Sequence, residues 1–82
     1  MYVEKARKRI SRQTVVEYTL TCEGGAYSIE CVEYENDEIE KDRTKINEVT
    51  TLFCVAERIF NLIVNNGVTA CTLNDVICDL IC

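Results

Sequence analysis

The chain has 82 residues and a mass of 9.4 kDa, enough for one small domain and no second one. Its 48% hydrophobic and 28% charged residues suit a folded protein rather than a disordered one, and no apolar run approaches the ~20 residues of a membrane-crossing helix. Histidine is absent, which excludes imidazole-based triads and acid–base work, and the six cysteines are the loudest feature of the composition.

Charge is unevenly spread along the chain. Residues 1–13 carry five basic side chains (Lys5, Arg7, Lys8, Arg9 and Arg12) against Glu4, a net of +4. Residues 14–82 carry four basic and thirteen acidic side chains, a net of −9. We expect residues 1–13 to form a basic N-terminal arm and residues 14–82 the single folded domain. The arm lacks an apolar segment after its charges, so it does not read as a secretory signal. The chain is then expected to stay in a reducing cytoplasm, where structural disulfides are rare. A body of −9 should repel nucleic acid and be drawn to basic surfaces, although simple solubility also accounts for such a charge.

The first expected strand is Thr14–Cys22, TVVEYTLTC, with β-branched and aromatic residues in near alternation. Tyr27–Glu35 reads the same way, and Gly24-Gly25 between the two is a hairpin signal. In that register Val16, Tyr18, Leu20 and Cys22 share a face with Tyr27, Ile29 and Cys31. Glu17, Thr19, Thr21, Ser28 and Glu30 take the other face. Asn36-Asp37 turns the chain into a weaker, charged edge strand over about 38–46. Thr50 or Thr51 is placed to cap a helix running to Asn66, with Gly67 as its stop. Its apolar face is Leu52, Val55, Ala56, Ile59, Phe60 and Ile63. Thr72 and Asp75 resemble a capping box for a second helix that turns Leu73, Val76, Ile77 and Leu80 inward. The expected class is therefore α+β: a two- to three-stranded antiparallel sheet packed on an antiparallel helix pair.

The cysteines fall on this scaffold in two groups. Cys31 points into the core in mid-strand, and Cys71 lies about 10 Å of helical rise from Cys78. Cys54, Cys78 and Cys82 lie off the apolar helix faces, and antiparallel helices bring them level at one end of the molecule, near Cys22. Four converging thiolates suit tetrahedral zinc, and a structural zinc would stabilise so small a core. Against this, no CxxC pair is present, and six free, mostly buried thiols fit the same spacing. Catalysis finds no support, because a thiolate nucleophile has no imidazole partner and Gly24-Gly25 lacks the context of a phosphate loop. Glu33, Glu35, Asp37, Glu38 and Glu40 surround the second turn. They are the densest charge and the expected contact with a basic partner, or simply a solvated turn.

Two resemblances add to this reading. Tyr27–Cys82, with YSIECVEYENDEIE and VNNGVTACTLNDVICDLI, is similar to a family of small uncharacterised clostridial proteins. The profile as a whole, small, acidic and cysteine-bearing without a catalytic set, resembles the zinc-binding anti-CRISPR proteins. That likeness implies a non-enzymatic inhibitor of the type II CRISPR effector nuclease, acting in the cytoplasm of a bacterial host and stabilised by zinc on Cys22, Cys54, Cys78 and Cys82. It implies binding to the nuclease through the acidic turn and blocking of target DNA loading, since such nucleases hold nucleic acid in basic channels. No direct nucleic-acid binding by the body and no membrane contact are expected, and a monomer is favoured. The alternative is a small interaction or transcription-accessory protein whose basic arm touches nucleic acid.

Overall fold

The computed structural model describes residues 2–36 and 38–81. Strands β1 (Tyr2–Arg9), β2 (Thr14–Glu23), β3 (Ala26–Glu35) and β4 (Ile39–Thr50) are followed by helices α1 (Phe53–Asn65) and α2 (Leu73–Ile81). The strands form one antiparallel sheet in the order β1-β2-β3-β4, with both helices packed on one face, so the α+β class stands. The sheet has one strand more than the upper expectation. Residues 2–9, read as an arm outside the domain, pair with β2 from Tyr2↔Cys22 to Arg9↔Val15. Their charge hid an alternation: Lys5, Arg7 and Arg9 point away from the helices, while Glu4, Ala6 and Lys8 are half-buried on the helix side.

The β2–β3 hairpin has the register expected from its glycines. Glu23 pairs with Ala26, leaving Gly24 (φ +60°) and Gly25 (φ +84°) as a two-residue turn. Positive φ at both central positions is the type I′ geometry, which matches the twist of the flanking strands. Leu20↔Ile29 and Tyr18↔Cys31 then lie side by side under the helices, all four fully buried. β4 is longer than the 38–46 expectation and ends only at Thr50, opposite Tyr27. Two register shifts interrupt it, and Glu48 takes φ +53° within the first. Because Thr50 is still in the ladder, neither Thr50 nor Thr51 caps α1. The cap position is Leu52, which has no side-chain cap bond, and Leu52 is exposed rather than part of the apolar face.

The far end of α1 is closed more firmly. Val68 N–H donates to Ile63 O and Gly67 N–H to Val64 O, both at 3.2 Å, the paired bonds of a Schellman stop. Gly67 has φ +61°, and a Cβ there would meet Ile10 Cδ1 at 3.0 Å. Lys8 Nζ donates to Asn65 O at 2.7 Å, setting a cation on the negative end of the helix dipole and tying β1 to the helix layer. Ala56, Ile59, Phe60 and Ile63 of α1 and Leu73 and Ile77 of α2 fill the core against Val16, Tyr18, Leu20 and Ile29. Val76 is half-buried, and Leu80, expected inward, is 43% exposed.

One polar bond crosses this core. Tyr18 is fully buried, and its hydroxyl donates to Val68 O at 2.7 Å, joining mid-β2 to the loop that ends α1. Among the described residues no buried side-chain nitrogen or oxygen is left unpaired. Tyr18→Phe should therefore lower stability by about 1–3 kcal/mol, because it leaves the buried carbonyl without its main donor. Denaturant unfolding checks this, and a change under about 0.5 kcal/mol would show that the bond contributes little.

Candidate functional site

The β3–β4 hairpin is the most exposed part of the sheet. Glu35, Asn36 and every described residue from Glu38 to Arg43 are exposed, including Asp42 on the helix side and Arg43 on the other. The helix layer thus leaves the outer part of this hairpin uncovered, open on both faces. Asn36 takes φ +54°, and its N–H donates to Gln13 O at 2.7 Å, so the β1–β2 turn braces the tip. Ile39 beside it is 60% exposed.

The expected contact carboxylates are not equivalent. Glu33 is half-buried, with its carboxylate 3.8 Å from Lys41 Nζ. Glu40 accepts from Arg43 at 2.7 Å, which helps hold that guanidinium above its ordinary pKa. Glu35 and Glu38 are exposed at the turn, and Asp37 lies outside the described residues. The tip therefore presents Glu35, Glu38 and Glu40, with Glu33 set back as a side support.

The described thiols differ in exposure. Cys54, Cys71 and Cys78 are exposed, Cys22 is half-buried and Cys31 fully buried. Cys22 pairs across the hairpin with Tyr27, whose ring lies 5.9 Å from that of Phe53 at the start of α1, next to Cys54. Leu80 of α2 meets Val55, Arg58, Ile59 and Leu62 of α1 around an open groove of about 290 Å³. The C-terminal half of α2 thus lies along the middle of α1. Even so, among the described residues no three cysteine or carboxylate side chains come together closely enough to hold a metal ion. Cys82, the fourth expected ligand, lies outside the described residues.

Two features were not anticipated from sequence. Leu52, Phe53, Leu62 and Leu80 are exposed on the helix side, with at least 40% of each accessible. On the opposite side, Lys5, Arg7 and Arg9 of β1 share the open sheet face with Arg43 and Lys45 of β4. The period-two alternation within VEKARKR was the signal for the second feature. Among the described residues no helix is long and apolar enough to cross a membrane. No family model, curated protein or solved structure matches the chain.

Burial holds the Cys31 thiol up from its ordinary 9.0 to about 12, with Glu33, Asp42 and Cys71 adding to the effect. Burial also raises the Tyr18 phenol, with Cys31 and Glu33 as lesser causes. Both are acids that stay protonated in the fold after the unfolded chain has released its protons. Their stabilising contribution is complete below pH 9.0 and is lost as pH rises toward 12. The urea midpoint should fall steadily over that range, and Cys31→Ala should flatten its earlier part. A midpoint that rises or stays level above pH 9.0 would contradict the assignment.

Proposed function

We propose that the protein acts by occupancy, entering a basic surface of a partner with its acidic β3–β4 hairpin. The observation that carries this is the hairpin's exposure on both faces, with Glu35, Glu38 and Glu40 at its tip. A ladder accessible from both sides can enter a groove, and its carboxylates speed encounter with a cationic wall. The partner we propose, from the profile likeness to anti-CRISPR proteins, is the type II CRISPR effector nuclease in the cytoplasm of a bacterial host. Its basic nucleic-acid channels offer such a groove, and occupancy there would block target DNA loading. Each exposed ion pair contributes only about 0–1 kcal/mol, so single substitutions should do little. Glu35→Lys, Glu38→Lys and Glu40→Lys together should slow association about tenfold at low salt and weaken inhibition in parallel. A gel-shift titration checks this: inhibitor added before DNA should abolish the nuclease–DNA band. Normal loading without cleavage would overturn the mechanism, and unchanged loading and cleavage would overturn the choice of partner.

Zinc on Cys22, Cys54, Cys78 and Cys82 is a separate proposal, supported by the chemistry of four thiols in a reducing compartment. The Tyr27–Phe53 contact supports it by drawing Cys22 toward the helix that carries Cys54. Metal analysis of gently purified protein should give about one zinc per chain, with loss on Cys54→Ser and retention on Cys71→Ser. Zinc-free protein would overturn this proposal and leave the hairpin reading untouched.

A further inference from the structure

The open face of the sheet carries a charge pattern opposite to that of the chain as a whole. The net charge is −5, yet five of the nine Lys and Arg residues lie on this face. The register arranges them in rows across the four strands: Lys5–Thr19–Glu30–Lys45, Arg7–Glu17–Val32–Arg43 and Arg9–Val15–Tyr34–Glu40. Cations thus line both edges, with β1 contributing three at every second residue. Between them, Val15 and Val32 are 3% and 4% exposed although no helix covers this side. The half-buried Tyr34 ring lies beside them, with the Arg7 guanidinium 5.8 Å from its centroid.

The carboxylates on this face are Glu17, Glu30 and Glu40, with Glu23 at its margin. Glu17 is 3.4 Å from Arg7, while Glu30 and Glu40 lie 3.5 and 2.7 Å from Arg43. Arg7 and Arg43 nevertheless keep about half of their side-chain surface exposed, and such pairs exchange readily for another anion. Lys5 and Lys45 make no ion pair among the described residues. The Lys5–Lys45 row is the farthest of the three from the acidic hairpin, which contributes Glu40 to the Tyr34 row.

We infer that this sheet face binds single-stranded nucleic acid, with the β1 cations on phosphates and a base stacked on Tyr34. Spaced cations beside a half-buried aromatic ring on an open sheet supply both parts of single-strand recognition, backbone neutralisation and a platform for a flat base that takes the place of the Arg7 guanidinium. A duplex keeps its bases stacked inward and gains nothing from Tyr34. The inference does not depend on the hairpin or on its proposed partner, because it concerns the purified protein alone.

The test is fluorescence anisotropy with a labelled single-stranded oligonucleotide of about 12 nucleotides at low salt. Binding should weaken with salt along a slope of about −2 to −3, as expected for three to four phosphate contacts. Lys5→Glu with Lys45→Glu should weaken it about tenfold, and Tyr34→Ala about fivefold or more. Glu17→Gln, which removes an acid from the face, should tighten it. Thermal melts confirm folding of these surface variants, and Glu35→Lys with Glu38→Lys, neither of which belongs to the three rows, serves as the reference. No binding at low salt overturns the inference. So does binding indifferent to the Lys5 and Lys45 changes. Equal binding of a heparin oligosaccharide that ignores Tyr34→Ala also overturns it, because the face would then be a general polyanion surface.

Discussion

The Tyr18–Val68 hydrogen bond is the constraint around which the two layers are organised. It spans fifty positions of sequence and joins the centre of the sheet to the loop that follows α1. A buried hydroxyl and a buried carbonyl each lose water on folding, so each demands a partner, and here each supplies the other. The Schellman stop presents Val68 to the core by turning the chain at Gly67, whose positive φ strains any residue with a side chain. The helix ending and the sheet register are therefore parts of one arrangement. A slip of β2 by one residue would turn Tyr18 outward and leave Val68 O only the weak Cys31 thiol donor at 3.7 Å.

Much of this was legible in the residues because the signals were local. Gly24-Gly25 specified the β2–β3 register, alternation specified its buried face, and Gly67 marked the end of α1. The missed strand β1 shows where such reading fails. Its inward residues are Glu4, Ala6 and Lys8, so its half-burial comes from long aliphatic stems and one methyl group rather than from large apolar side chains. The start of α1 was misplaced for a different reason. Thr50 is a good cap in isolation, but the pairing of β4 with β3 holds it in extended backbone. The acidic turn was visible as charge density; that Glu33 is set back while Glu35 and Glu38 lead depends on strand geometry.

The charge pattern looks different in three dimensions than along the chain. The sequence divides into a basic start and an acidic remainder, whereas the fold divides into a mixed, cation-edged face and an acidic hairpin with an acidic helix layer. Folding β1 into the sheet puts the N-terminal cations on the same sheet face as Arg43 and Lys45, at the opposite edge and more than thirty residues distant in sequence. The two outer strands also resist edge-to-edge pairing by different means. β1 repels another copy of itself through like charge, and β4 is broken by two register shifts and the positive φ of Glu48.

The order of the elements along the chain bears on how the molecule is made. Each strand pairs with its immediate predecessor, so the sheet can grow as successive hairpins while the chain leaves the ribosome. The covering helices come last, and the carbonyl awaited by Tyr18 belongs to residue 68 of 82. Until then Val16, Leu20 and Ile29 have nothing to bury them, and a nascent sheet with one sticky side is prone to misassociation. The glutamates and lysines that dominate β1 and β4 flank that side on both edges, acting as solubilising guards for the unfinished chain.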